Sequence, residues 1–463
     1  MKEPTRQLEP VHLPEPPADV PGLTPVWFGA AGLIGAVSAF AAAVVRLTFR
    51  GLEWLFTHSV AAPPEAGAHL SFWRRAVTPA VGALLAMLVL YIRRRRALRL
   101  HRAPRPYIEY VEAVRQRGGF IPFVPNCWRT LSAAFSIATG AAVGREGSMI
   151  QFAAETASGP ASWLARRFPG PGRLDARMLV ACGVAGGVTT AYNAPVAAVF
   201  FAAEIVLGSI RAREVVLLAI ASAAGWLVSG LIQGFQRLYP VHEPLFTGSW
   251  TIALLPALAL LFGLLGPVYQ KLIGGLRGAR NVPLPLLWGG LIVGLLSTID
   301  PRVWGNGDLG LSAALGRPDL PGFSIAAPAV AMILGLRLIA TTACVGTGTV
   351  GGVFTPTLFA GASVGMLVGH AVPAANPTLW AIMGMGLLMA AVTHAPLMAA
   401  FMAVELTGDW ILLPILIVLN LVAWQVARRL SRAALYAIAS QAPTRAHHSR
   451  PAAPARYNEQ RTA

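Results

Sequence analysis

Val143-Gly-Arg-Glu-Gly-Ser148 sets an ionisable pair between glycines, and apolar sequence flanks it on both sides: Leu131-Ser-Ala-Ala-Phe-Ser-Ile-Ala138 before it and Met149-Ile-Gln-Phe-Ala-Ala154 after it. A carboxylate among residues as apolar as lipid is expensive, and where one persists it marks a functional site by default. The glycines let the backbone turn out of a helix, and a helix restarting just after them aims its unpaired N–H groups at whatever anion lies there. Glu146 would then compete with a dissolved anion for one site. The blander reading of the same residues is a structural ion pair between Arg145 and Glu146.

The rest of the chain gives that stretch a membrane setting. Of 463 residues, 55% are hydrophobic and only 12% charged, and the mean hydropathy is +0.59, too little polar surface to clothe a soluble globule. Apolar runs recur at 25–45, 76–92, 131–143, 177–208, 215–232, 251–268, 285–298, 324–343, 353–372, 378–404 and 411–427. A simple span needs about 20 such residues, and several of these runs are shorter or are cut by Gly and Pro. Broken backbone at membrane depth persists only where it lines a cavity or is buried in protein. The pattern predicts an all-α polytopic membrane protein with interrupted and re-entrant helices around a pathway. Residues 1–22 and 441–463, polar and rich in Pro or in Arg and His, read as disordered tails around a transmembrane domain over 23–440, with no soluble regulatory domain.

The net charge of +17 is mostly arginine, and the arginines cluster at the edges of the apolar runs: Arg93 to Arg96 with Arg99 and Arg102, then Arg166, Arg167 and Arg173, Arg211 and Arg213, Arg277 and Arg280, and Arg428, Arg429 and Arg432. By the positive-inside rule these are cytoplasmic, while Tyr239-Pro-Val-His-Glu-Pro244 lies outside. The expected location is a cell inner membrane, with both termini cytoplasmic. Arginines at membrane boundaries, with no basic domain of their own, argue against a nucleic-acid partner. The run Arg93 to Arg96 reads as a topology determinant touching lipid headgroups. Cys127, Cys182 and Cys344 show no metal-type spacing, and neither a cofactor nor a metal is expected. An intramembrane enzyme would need a paired-acid, Ser/His/Asp or metal constellation, and none has sensible spacing.

The chain also repeats itself. Asn193-Ala-Pro-Val-Ala-Ala-Val-Phe-Phe-Ala-Ala-Glu204 returns 201 residues later as His394-Ala-Pro-Leu-Met-Ala-Ala-Phe-Met-Ala-Val-Glu405, with the Ala-Pro pair and the closing Glu in register. Upstream of each copy lies a glycine-bearing break, Val143 to Ser148 in one half and Gly351-Gly-Val-Phe-Thr-Pro356 in the other. Two halves, about 23–235 and 250–440, are predicted. Such halves are often inverted, and their interrupted helices meet at the midplane to build the site. Backbone N–H groups around Arg145, Glu146 and Gly147 from one half, and around Val353 and Phe354 from the other, would coordinate a small anion with partial charges that still allow release. Glu204 and Glu405 close matching segments and read as helix caps, with Glu204 also open to a proton-relay role. His394, at the repeat position of Asn193, reads as a helix-terminus hydrogen bonder.

On these residues the chain resembles the CLC family of chloride channels and proton-coupled chloride antiporters, along nearly its whole length and in particular the bacterial branch without cytoplasmic regulatory domains. Gly144-Arg-Glu-Gly147 matches the family's GREGP loop, Gly352-Val-Phe-Thr-Pro356 its GxFxP loop, and Tyr436 in Ala434-Leu-Tyr-Ala437 its pore tyrosine. The resemblance implies that Glu146 is the gating glutamate, that Arg145 to Gly147 with Val353 and Phe354 line the anion sites, and that Tyr436 donates its hydroxyl to the central ion. It also implies a homodimer with one pore per subunit and chloride as the partner ion. Taken alone, Tyr436 reads equally well as an interfacial aromatic anchor.

Three departures qualify the match. Ala103, in Arg102-Ala-Pro-Arg-Pro106, stands where the family has a coordinating serine. Ser148 replaces the proline of GREGP, adding a hydroxyl or loosening the first turn. Ile205 stands where family antiporters carry the inner proton-transfer glutamate. Loss of that acid favours passive, channel-like chloride movement. The alternative is proton-coupled antiport with Glu204 or Glu109 as substitute relay, and transport of fluoride or another small anion is a more distant one.

Overall fold

The computed structural model describes residues 24–59, 63–99, 107–168, 175–241, 249–315 and 326–435. The expected tails, Ala103 and Tyr436 lie outside these residues.

The described chain is helical. The first part holds α1 (Pro25–Thr57), α2 (Pro63–His69), α3 (Phe72–Arg99), α4 (Tyr110–Gln116), α5 (Phe123–Ala138), α6 (Glu146–Arg167), α7 (Ala176–Tyr192), α8 (Pro195–Phe200), which continues as a π-helical segment over Phe201–Leu207, and α9 (Ala212–Gln233). The second holds α10 (Ser249–Ile252), α11 (Leu255–Gly275), α12 (Pro285–Ile299), α13 (Asp308–Ala314), α14 (Ala327–Thr347), α15 (Phe354–Ala371), α16 (Pro377–Thr393), α17 (Pro396–Thr407) and α18 (Leu413–Leu430). Among the described residues six helices are long and apolar enough to cross a membrane, while α12, α16, α17 and the Pro195–Leu207 unit are apolar but shorter. Side chains such as Leu33 on α1, Leu231 on α9 and Ile411 beside α18 stand exposed, as a lipid-facing surface requires.

The breaks follow from two local rules. Apolar runs 177–208 and 378–404 each split at one residue in the left-handed conformation, Asn193 at φ 50° and His394 at φ 59°. An αL residue ends a helix, and the Ala-Pro that follows starts the next with proline at its first position, where the missing N–H costs nothing. His394 stands at the helix end as expected, but its Nε2 is buried with no hydrogen-bond partner among the described residues, and the end is made by its backbone, whose N–H donates to Ala390 O. Tight helix contacts rest on small residues: a methyl at Gly186 would come within 2.4 Å of the Gly35 carbonyl oxygen, joining α7 to α1 in the manner of membrane helix pairs.

The repeat folds back on itself as two antiparallel units. Glu405, near the end of α17, accepts from Val196 N at 3.0 Å and Ala197 N at 2.7 Å, at the start of α8. Glu204 accepts from Leu397 N at 3.3 Å and Met398 N at 2.8 Å, at the start of α17. Each carboxylate thus caps the other copy's helix and meets the positive end of its dipole. Between the caps, the rings of Phe200 and Phe401 stack at 4.7 Å. Every one of these partners lies in the same register of the repeat, so the two copies run in opposite directions about a local two-fold through the phenylalanines.

Candidate functional site: a backbone-lined anion pathway

Two of the interrupted segments meet. Gly144 N donates to Gly352 O at 2.6 Å, and Gly352 N donates to Gly144 O at 2.7 Å, an isolated antiparallel bridge. The contact is possible because both loops lack side chains there. A methyl at Gly147 would lie 2.8 Å from Gly352 Cα, and one at Gly351 would lie 2.3 Å from Val143 Cγ2. Just beyond the bridge α6 starts at Glu146 and α15 at Phe354, with Arg145 and Val353 as their N-cap residues. The N–H groups of Glu146, Gly147, Phe354 and Thr355 have no carbonyl partner among the described residues. Two helix N-termini therefore present unpaired donors and positive dipole ends to one region. Arg145, Glu146, Gly147, Val353 and Phe354, named from sequence alone, come together here.

A cavity of about 140 Å³ borders this junction, lined by Gly147, Ser148, Gly351, Gly352 and Val353 together with Tyr107, Glu109, Arg129, Arg280 and Leu435. Tyr436 directly follows Leu435 but is outside the described residues. Arg129 stacks over the Tyr107 ring at 3.7 Å, keeping a cation at the cavity wall. Phe354 is buried against Tyr192, with ring centres 5.0 Å apart, and against Phe201 at 6.1 Å.

Glu146 is 5% exposed. Its Oε1 accepts from Asn306 Nδ2 at 2.8 Å and lies 3.8 Å from Arg145 Nε, while Oε2 is buried with no hydrogen-bond partner among the described residues. The ion pair with Arg145 is therefore loose, and the closer partner is one that sequence reading missed. Asn306 belongs to Gly305-Asn-Gly-Asp308, a loop clamped from behind by Arg337. That guanidinium donates to the carbonyls of Arg302, Val303 and Gly305, each at 3.0 Å. Asn306 Oδ1 accepts from Asp308 N at 3.1 Å, and Asp308 accepts from the Tyr239 hydroxyl. The signals were present: Arg337 is a lone arginine in the apolar run 324–343, and glycines flank Asn306 as they flank the Arg145–Glu146 pair. Each was passed over because an isolated polar residue in a loop or helix carries no spacing pattern.

The remaining sequence candidates sit elsewhere. Glu109 is the N-cap residue of α4 and reaches the central cavity. Glu204 caps α17 and borders a second cavity of about 610 Å³ at the other end of α8, where Ile205, His394, Arg115, Arg177, Arg211 and Arg428 also meet. Ile205 is buried, and its carbonyl accepts from Arg115 Nη2 at 2.7 Å. Arginines far apart in sequence thus gather around one cavity. Glu155, also not singled out from sequence, is buried on α6 and accepts from Gln151 Nε2 at 3.2 Å.

Helical packing of this kind, around two glycine loops that meet through their backbones, defines a polytopic anion-transport protein, and the chain belongs to the voltage gated chloride channel family, whose model matches residues 82–428. It is 35% identical to the voltage-gated ClC-type chloride channel ClcB of Shigella flexneri over 88% of this chain and 96% of that protein. In fold it is similar to a slow cyanobacterial Cl⁻/H⁺ antiporter, with a TM-score of 0.75, 21% identity and coverage of 90% of this chain and 97% of the other. A CLC-type fluoride/proton antiporter gives a TM-score of 0.70 at 20% identity, covering 90% of this chain and 100% of that one. Family members are channels and transporters, and the family model and the Shigella flexneri relative are both named for chloride channels.

Proposed function

We propose that this protein lets chloride cross a bacterial inner membrane passively, along the line where α6 and α15 meet, with Glu146 as a protonatable gate. The observation that carries the proposal is the Gly144–Gly352 bridge, which brings two donor-rich helix starts together beside a carboxylate. Chloride supplies the acceptor those N–H groups lack, and partial charges hold it loosely enough for passage. Glu146, one residue into α6, competes for the same donors when ionised and leaves them to the anion when protonated. Tyr436, next in sequence after the cavity-lining Leu435, is assigned as a hydroxyl donor to the anion on the strength of its match to the family's pore tyrosine.

Channel-like movement is favoured over proton-coupled antiport by Ile205, which offers no titratable group where a proton would enter, and by Glu204, whose carboxylate is engaged by two backbone donors. The channel name of the Shigella flexneri relative agrees. The arginine-rich end bearing Arg177, Arg211 and Arg428 is the cytoplasmic one, with both termini on that side. The transmembrane unit comprises halves at about 23–235 and 250–440, and it works as a homodimer with one pathway per subunit. Chloride efflux from liposomes tests the gate. Glu146→Gln should transport at least as fast as the unmodified protein and with no pH dependence, whereas an unchanged pH profile would remove Glu146 from the gating role.

A further inference from the structure

We infer that the Ser148 hydroxyl is a direct ligand of the transported anion, a side-chain donor added to the backbone amides; this rests on the pathway proposed above. Ser148 is the third residue of α6 and is 5% exposed. Its Oγ is buried and has no hydrogen-bond partner among the described residues. A serine in a helix ordinarily returns its hydroxyl to the carbonyl three or four residues back. Ser148 Oγ bonds to neither Gly144 O nor Arg145 O. The hydroxyl is thus left unsatisfied on a residue that borders the central cavity with Gly147, Gly351, Gly352 and Val353.

A buried hydroxyl without a partner is costly and calls for a bound species to complete it. A small monovalent anion is acceptor only, and the hydroxyl turns toward it by rotation about χ1. Thr355, in the first turn of α15, also has an unpartnered hydroxyl, but it is not among the residues bordering the cavity and receives no such role.

The test is calorimetric titration of detergent-solubilised protein with sodium chloride in a Glu146→Gln background, where no carboxylate competes, together with thermal unfolding in chloride-free buffer. Adding Ser148→Ala should raise the chloride Kd about tenfold, the size expected for losing one hydrogen bond to a charged species. Ser148→Thr, which keeps the hydroxyl, should stay within about threefold of the serine protein. The alanine variant should unfold at the same or a higher temperature, since it removes an unsatisfied group from the interior. Equal affinity for the serine and alanine proteins would overturn the inference while leaving the pathway intact. Weaker binding accompanied by a lower unfolding temperature and no recovery with threonine would also overturn it, by making the role structural. Failure of the Glu146→Gln protein itself to bind chloride would overturn the pathway beneath it.

Discussion

Replacing Gly147 with alanine should dismantle the anion site from its backbone outward. The added methyl would stand 2.8 Å from Gly352 Cα and 2.9 Å from Gly352 N, and both are main-chain atoms that cannot swing aside. Carbon contacts relax at roughly 3.5–4.0 Å, so the loops must part by about 0.5–1 Å. The bridge bonds at 2.6 and 2.7 Å are made by Gly352 itself, to Gly144 three residues before Gly147, and a movement of that size breaks or strains both. Overpacking costs roughly 1–3 kcal/mol and each of the two backbone bonds contributes about 1 kcal/mol, which gives a destabilisation of about 3–5 kcal/mol. The amides of α6 would also shift away from those of α15, and losing even one charge-assisted bond weakens anion binding about tenfold. Gly159 on the same helix is the control: nothing lies within 4 Å of a methyl there, so Gly159→Ala should be neutral or stabilise by about 0.5–1 kcal/mol. Thermal unfolding in detergent and chloride efflux from liposomes read both quantities. A Gly147→Ala protein with native melting and native efflux would refute the claim that the two loops must touch.

Two further expectations concern the scaffold. Glu204→Ala and Glu405→Ala should each destabilise by about 1–2 kcal/mol, as removal of a helix cap does, while the glutamine variants keep an acceptor oxygen and lose less; equal losses for Ala and Gln in thermal unfolding would contradict the cross-capping account. Arg337→Leu strips the donors from three loop carbonyls and should cost about 3 kcal/mol or more, as breaking a buried polar network does, and hydrogen exchange should rise selectively over residues 301–307; uniform exchange would show that the guanidinium does not hold that loop.

Much of this architecture is legible in the sequence because membrane helices leave coarse marks. The Asn193 to Glu204 repeat displays both breaks and, through Glu204 and Glu405, the ends that cap each other. Which helix each acid caps is not readable, because nothing in a single segment says that its partner runs antiparallel beside it. The glycines of Val143 to Ser148 and of Gly351 to Pro356 announce two turns, and the need to bring donors together implies that they meet. Asn306 and Arg337 escaped notice for the opposite reason. Their roles come from tertiary contacts 160 and 32 to 35 residues away in sequence, and a lone polar residue gives no periodicity to read. Ser148 was visible as a departure from the GREGP pattern, but only its buried, unpartnered Oγ beside the cavity separates a donor from a loosened helix start.

The most direct test of the account records chloride and proton movement together in liposomes holding the unmodified protein under a chloride gradient. A proton entering from the arginine-rich end meets Ile205 and a Glu204 already committed to α17, so chloride should run down its gradient with little or no uphill proton movement. Sustained proton pumping in fixed ratio to chloride would contradict passive transport and would assign the relay to Glu204 or Glu109.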